Sequence, residues 1–252
     1  MRDRVMYSFE SRIRYSETDS DGRLTLLSLM DYFQDCSTFQ SEDLGVGLSF
    51  LRERKVVWVL SSWQIAIERL PEMGERVSVG TFPYDFKGCF GFRNFFMQDE
   101  AGGYIAKANS MWTLLDTETF KPKRPPEEVV QRYKMEERLS MEYAGRKIAV
   151  PQDMERKESI VVKQHHLDTN HHVNNAQYVG MAMDYLPEHF PVTGMRAEYK
   201  KQALLHDILV PCVQVSKGED GTVTYVVSLQ DTQGGIYTNV EFEGRRNYAE
   251  AG

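Results

Sequence analysis

Two stretches of this chain, 149 residues apart, carry one pattern at the same point in the same succession of elements. Asp19-Ser20-Asp21-Gly22-Arg23-Leu24 aligns with Asp168-Thr169-Asn170-His171-His172-Val173, and that offset also sets Asp35 on Asp184. Farther along, at an offset of 132, Trp63 aligns with Met195 and Asp99-x-x-Gly102-Gly103 with Asp231-x-x-Gly234-Gly235. Identities are few, so the order of elements carries the repeat. In the first half RIRYSE predicts a strand. Leu26, Leu29, Met30 and Phe33 fall at helical spacing and predict a helix over TLLSLMDYFQDCSTFQSEDLG. WVLSSWQIAIERL, ERVSVGTFPYDF, CFGFRNFFMQDE and YIAKANSMWTLLD follow, rich in β-branched and aromatic residues and punctuated by turn-forming MGE, FKG and AGG. The second half repeats this: ESIVVKQHH as a strand, VNNAQYVGMAMDYL as a helix with Val179, Met183 and Leu186 on one face, then four more strands. The 17 residues by which the offsets 149 and 132 differ belong to an insertion, placed at VGLSFLRERKV.

Between the halves, residues 117–157 are dense in charge and hold four prolines. They read as a linker long enough to let two domains, 1–116 and 158–252, lie side by side. The architecture expected is α+β: an antiparallel sheet wrapped around one helix, twice. With 252 residues, 41% hydrophobic and 27% charged, the chain can bury a core in each half. No run of 18 apolar residues occurs, and the N-terminus lacks the apolar core of a signal peptide. Cys36, Cys89 and Cys212 are widely spaced and odd in number, which fits a reducing compartment and a cytoplasmic protein. A net charge of −7 argues against nucleic acid as a partner.

HHLDTNHHVNNAQYVG, residues 165–180, gathers four of the six histidines and three asparagines before an apolar helix face. Three readings compete: a capped polar turn, a metal cage, and the reactive end of an active site. The histidine spacing matches no compact zinc pattern and no cysteine lies nearby, so neither metal nor cofactor is expected. Asp168, Asn170 and His172 stand at i, i+2 and i+4. An extended segment would point all three to one side, and a helical one would place Asp168 and His172 on a shared face. Asn174 or Asn175 can cap the following helix, whose free N–H groups suit a developing oxyanion. A carboxylate base or nucleophile, an imidazole proton donor and a donor-rich helix end are parts for acyl transfer.

The string Leu167-Asp168-Thr169-Asn170-His171-His172-Val173-Asn174-Asn175-x-x-Tyr178 resembles the catalytic segment of the acyl-acyl carrier protein thioesterases. Glu198-Tyr199-Lys200-Lys201-Gln202-Ala203-x-x-x-Asp207 resembles that family's downstream block, and Arg14-Tyr15-x-Glu17-x-Asp19 the opening of a hotdog domain. The resemblance implies two tandem hotdog domains that hydrolyse fatty acyl thioesters held on the phosphopantetheine of acyl carrier protein. It assigns Asp168, Asn170 and His172 to catalysis and places the acyl chain largely in the first domain. All six histidines lie in 165–206, whereas Trp58, Trp63 and Trp112 lie in the first half, where Arg23 replaces the imidazole; the tryptophans are therefore candidate chain-binding residues, with Asn174 and Asn175 at the helix end.

Two positions depart from the family pattern. Gln202 stands where it has a second glutamate and Ala203 where it has a cysteine, so a thiol nucleophile there is excluded and Gln202 becomes a positioning group. Two other functions share the fold: a thioesterase acting on coenzyme A esters, and a noncatalytic acyl-binding hotdog protein. Gln202 and Ala203 suit the second, and the retained Asp-Asn-His set opposes it. Lys200, Lys201 and the linker cations Lys121, Lys123 and Arg124 are candidates for meeting an acidic carrier protein, and a homodimer is compatible with the sequence.

Overall fold

A computed structural model describes residues 6–245. They form two compact units: one runs to Ser61 and resumes over Ala66–Tyr143, the other comprises Ser62–Ile65 and the chain from Ala144 onward. The junction after Tyr143 falls inside the charged 117–157 stretch, and most of that stretch belongs to the first unit.

The first unit contains β1 (Tyr7–Arg12), α1 (Leu26–Asp43), α2 (Leu48–Glu53), β2 (Val56–Ile67, except its stretch Ser62–Ile65), β3 (Arg76–Lys87), β4 (Phe90–Asp99), β5 (Tyr104–Asp116) and α3 (Glu127–Arg132). Its strands follow the order β1-β3-β4-β5-β2. Leu26, Leu29, Met30, Phe33 and Cys36 bury one face of α1, which packs on β3 and β1. Leu29 and Phe33 are completely buried, each contributing roughly 1.5–3 kcal/mol relative to exposure. Thr25 caps this helix, its Oγ1 accepting from the Ser28 N–H at 3.1 Å. The insertion expected around 46–56 is α2. In the charged stretch, α3 buries Val129 and is followed by buried Tyr133, both packed with Val46.

The second unit contains β6 (Glu155–Arg156), β7 (Ile160–Val161), α4 (Asn175–Met183), β8 (Val192–Tyr199), β9 (Ile208–Lys217), β10 (Thr222–Gln230) and β11 (Ile236–Arg245). The order is β8-β11-β10-β9-β6, with β7 also on β9, and α4 packs on β10 and β11. Arg196 on β8 fastens the entry to this unit, donating to the Gly145 and Lys147 carbonyls at 2.6 and 3.0 Å and pairing with Glu241 at 2.7 Å. Each unit is thus an antiparallel sheet against one principal helix, the hotdog arrangement. Among the described residues no helix is long and apolar enough to cross a membrane.

The opening strands differ from expectation in both units. RIRYSE was to be a strand, yet β1 ends at Arg12 and Tyr15–Glu17 is a 3₁₀ turn; ESIVVKQHH yields only Ile160–Val161 and a 3₁₀ turn over Gln164–His166. A side chain closes each turn. Glu17 Oε2 accepts from the Arg14 N–H at 2.8 Å, and His166 Nδ1 accepts from the Lys163 N–H at 3.0 Å. These acceptors are 149 residues apart, so glutamate and histidine do one backbone task. The other offset holds as well: Asp99 Oδ1 accepts from Ala101 and Gly103, as Asp231 Oδ1 does from Gln233 and Gly235.

Candidate active site

The segment Leu167–Val173 closes on itself. Leu167 and Val173 bridge antiparallel, the Asp168 N–H donates to the His172 carbonyl at 2.8 Å, and the His171 N–H to the Asp168 carbonyl at 3.1 Å. Asp168 Oδ1 accepts from the N–H of Asn170 at 2.7 Å and of His172 at 3.3 Å. The segment is therefore neither extended nor helical, the two geometries considered from spacing. It is a loop gathered around a carboxylate, with His171 at φ +62°. A non-glycine residue there is uncommon, though histidine tolerates it better than most.

The first unit builds the same loop. Asp19 Oδ1 accepts from Asp21 at 3.0 Å and Arg23 at 2.9 Å, with Gly22 at φ +73° in the position of His171. Oδ1 of Asp168 is thus committed to loop closure, as its counterpart is in a unit without the imidazole. Oδ2 of Asp168 has no hydrogen bond among the described residues and is the oxygen available to a substrate or water. Asp168 and His172 are half-buried and Asn170 is exposed. Their proximity is set by carboxylate-to-backbone bonds, and no side-chain hydrogen bond joins the three among the described residues.

Asn174 is the helix cap. Its Oδ1 accepts from the Ala176 N–H at 2.8 Å, while its own N–H donates to the His166 carbonyl at 2.9 Å. Asn175 begins α4, and its carbonyl accepts from the Tyr199 hydroxyl at 3.1 Å. Burial drives the Tyr199 phenol well above its ordinary range, so it is a fixed neutral donor. Glu198, 4% exposed, accepts from the Ile148 N–H and from Asn239 Nδ2, both at 3.3 Å. The first residues of the Glu198–Ala203 block therefore hold the fold.

Gln202 is exposed beside fully buried Ala203. Ala203 is tied from both sides of its peptide unit: its carbonyl accepts from the Val173 N–H at 3.0 Å, and its N–H donates to the Tyr178 hydroxyl at 2.7 Å. That docks the Gln202 segment on the Asp168 loop. Tyr178 is 3% exposed, and burial first, with Tyr237, Asp207 and Asp168 adding, pushes its phenol far up. Tyr178 and Tyr199 were read from the sequence as motif letters without a role. The signal that could have found them is the need of a buried loop peptide for partners.

The three tryptophans are dispersed. Trp58 meets Phe86 in a tilted pair at 6.2 Å between centroids, half-buried Trp112 donates from Nε1 to Ser110 Oγ at 2.8 Å, and Trp63 is only 2% exposed. A pocket of about 160 Å³ in the first unit is lined by Arg14, Glu17, Asp31, Tyr32, Asp35 and Phe39 with their neighbours, and by none of the tryptophans. Of the cations considered for carrier binding, Lys201 pairs with Asp231 at 3.3 Å, Lys200 lies 3.6 Å from Glu198, and Lys123 pairs with Asp116 at 3.2 Å. The three cysteines are free thiols; burial raises that of Cys36 to about 12. Among the described residues no cluster of three or more His, Cys, Asp or Glu side chains is placed to hold a metal ion.

Two sheet-and-helix units with one loop motif, elaborated by histidine and asparagine in the second alone, define a double hotdog protein. The model of the acyl-ACP thioesterase N-terminal domain matches residues 4–133, and that of the C-terminal domain residues 150–243. The chain belongs to the acyl-ACP thioesterase family. The chloroplastic palmitoyl-acyl carrier protein thioesterase of Gossypium hirsutum is 23% identical over 86% of this chain and 56% of its own length. The chloroplastic dodecanoyl-[acyl-carrier-protein] hydrolase of Cinnamomum camphora is 23% identical over 88% of this chain and 63% of its own. The chain thus spans less than two thirds of the length of these curated relatives. Among solved structures, the acyl-ACP thioesterase from Bacteroides thetaiotaomicron superposes with a TM-score of 0.81 at 22% identity, covering 93% of this chain and 96% of that one. The 12:0-ACP thioesterase from Umbellularia californica gives 0.83 at 20%, covering 95% and 94%. At these identities the likeness shows the fold.

Proposed function

We propose that this protein hydrolyses fatty acyl thioesters of acyl carrier protein, releasing free fatty acid and the carrier's pantetheine thiol in fatty acid biosynthesis. The observation that carries this reading is the contrast between the two loops. Both are closed by an aspartate Oδ1, but where the first unit has Asp21 and Arg23 the second has Asn170 and His172. Family membership supplies the reaction class. Asp168 acts through Oδ2, by drawing a proton from the water that attacks the thioester carbonyl, or by attacking that carbonyl itself to form an acyl–aspartyl anhydride that water then hydrolyses to free the carboxylate again. The Asn170 amide and the positive end of α4 stabilise the developing oxyanion. His172 gives a proton to the departing thiolate sulfur as the C–S bond breaks. Gln202 orients carbonyl or water, since an amide cannot serve as base. Asn174 and Asn175 set the helix end against the reacting carbonyl.

The acyl chain is assigned to the first unit, with half-buried Trp58 and Trp112 as its aromatic wall; Trp63 is packed away and contributes bulk rather than contact. The free thiols support a cytoplasmic location. The decisive experiment incubates purified protein with acyl-carrier-protein and acyl-CoA substrates across chain lengths and measures released thiol. Preference for the carrier-bound series is expected. Equal or better turnover of CoA esters would make this a CoA thioesterase, and acyl binding without thiol release would make it a noncatalytic member of the fold.

A further inference from the structure

The turn Leu204–Asp207 presents apolar side chains where turns ordinarily present polar ones. Leu204 is 50% exposed and Leu205 36%, and beside them Val161 is 46% and Ile208 43% exposed. The four form one strip. Val161 and Ile208 are directly paired across β7 and β9, so their side chains share a face. The Val162 N–H donates to the Asp207 carbonyl and the His206 N–H to the Val162 carbonyl, which seats the turn against β7. Asp207 Oδ2 accepts from the Leu204 N–H at 3.0 Å and from the Tyr237 hydroxyl at 3.0 Å, fixing the turn internally.

The first unit shows that the backbone does not require this apolarity. Its turn Glu72–Glu75 has the equivalent bonds: Glu72 N–H to Glu75 Oε2, Glu75 N–H to the Glu72 carbonyl, Gly74 N–H to the Ile13 carbonyl, Ile13 N–H to the Glu75 carbonyl. Gly74 and His206 both have positive φ, +86° and +72°. At the positions of Val161, Leu204 and Ile208, however, the first unit carries Arg12, Glu72 and Arg76, with Arg12 paired to Arg76 in register. Three of the four positions are charged in the first unit and apolar in the second, the one that bears Asn170 and His172; the position of Leu205 is apolar in both, as Met73, 54% exposed.

We infer that the strip Val161, Leu204, Leu205 and Ile208 is the surface on which the acyl carrier protein docks; this rests on the thioesterase reading above. The strip is continuous with the reacting loop, because Ala203, the residue before Leu204, exchanges its backbone bonds with Val173 and Tyr178. A partner seated there delivers its pantetheine arm beside Asp168 and His172. Charge agrees. In a chain of net charge −7, residues 160–172 and 200–208 carry Lys163, Lys200 and Lys201 against Asp168 and Asp207, with Glu198 beside Lys200 and Asp231 beside Lys201, so the segment is near neutral and repels an acidic partner less than the chain as a whole. Size agrees too. Four half-exposed aliphatic side chains present roughly 300 Å², short of the roughly 500 Å² on each partner that a stable dimer buries but suited to a carrier that must leave after each turnover.

The test places acids on the strip, which removes its apolar surface and repels an acidic carrier: Val161→Glu, Leu204→Glu and Ile208→Glu, singly and together. Val215→Glu, at an exposed apolar position on β9 outside the strip, is the control. KM for acyl carrier protein substrates should rise about tenfold or more in the combined variant, with kcat/KM for the acyl-pantetheine of the same chain length within about threefold of wild type. Binding of a carrier protein bearing a non-hydrolysable acyl amide, read by fluorescence anisotropy, should weaken in parallel, and the control should match wild type. Unchanged carrier KM and binding would overturn the inference, as would equal losses on both substrates. A wild-type dimer that dissociates in the variant while carrier KM holds would assign the strip to a second copy of this chain. Wild-type protein that cleaves acyl-pantetheine but neither binds nor cleaves the carrier-bound ester would instead sink the carrier-protein reading of function itself.

Discussion

The Ala203 N–H donates to the Tyr178 hydroxyl at 2.7 Å, joining the strand-end segment that carries Gln202 to the helix that follows the Asp168 loop. Replacing Tyr178 with Phe removes the acceptor and leaves a completely buried N–H unpaired. An unsatisfied buried donor costs about 1–3 kcal/mol. Tyr178→Phe should lower stability in urea denaturation by that order. It should also reduce kcat more than it raises KM, because Gln202 loses its register over the Asp168 loop. Full stability and full kcat would show that Tyr178 does not hold this segment.

Hydrolysis should require Asp168 and His172 and no cysteine. Asp168→Asn keeps an Oδ1 acceptor for the Asn170 and His172 N–H groups, so the loop should survive while the basic Oδ2 is lost. Losing an acid–base partner typically costs on the order of 10²–10⁴ in rate. Asp168→Asn and His172→Ala should therefore be nearly inactive with unchanged circular dichroism, whereas Asp19→Asn, the same change in the loop of the first unit, should retain activity. Asn170→Ala and Gln202→Ala should cost less. With Cys36, Cys89 and Cys212 all replaced, a folded protein should keep most of its rate. A dead cysteine-free protein alongside an active Asp168→Asn would reverse the assignment.

His166 predicts an acid-sensitive second unit. Burial first, then neighbouring His165 and Lys163, lowers its pKa, and its neutral Nδ1 accepts the Lys163 N–H. The unfolded chain therefore binds the proton more readily than the folded one, beginning near the ordinary histidine value of about 6.5. Stability is full above that value and falls as pH drops through it toward the lower folded pKa. His166→Glu, which installs the acceptor used at Glu17, should flatten this dependence between about pH 7 and 5.5. Denaturation midpoints across that range provide the measurement, and parallel curves for both proteins would exclude His166 as the source.

Trp58→Ala and Trp112→Ala should alter the distribution of fatty acid lengths released from a mixed acyl-carrier-protein pool. Gas chromatography of the products is the readout. Identical distributions from folded variants would remove both tryptophans from the acyl wall.

The repeat and its consequences could be read from the letters. Burial demands a period: Leu26, Leu29, Met30 and Phe33 predicted α1, and alternating aromatic and β-branched runs predicted β2–β5. Asp99 and Asp231 were matched by their spacing to glycine, and each closes its hairpin through one carboxylate oxygen. The family was visible in Asp168-x-Asn170-x-His172, because those side chains are not interchangeable in the chemistry they suit.

What required the fold was whatever depends on partners distant in sequence. Spacing alone offered an extended or a helical Asp168–His172 segment; the carboxylate instead gathers the loop's own N–H groups, a local hydrogen bond that competes with both regular forms. RIRYSE reads as a strand from its alternation and ESIVVKQHH from its β-branched run, yet Glu17 and His166 each capture a backbone N–H three residues back. The link from Tyr178 to Ala203 spans 25 residues, and the pairing of Val161 with Ile208 brings together two short apolar segments with no shared pattern. Composition and periodicity report how each segment meets water, which the sequence alone determines. Which buried donor finds which acceptor, and which exposed side chains become neighbours, is decided only when the chain closes on itself.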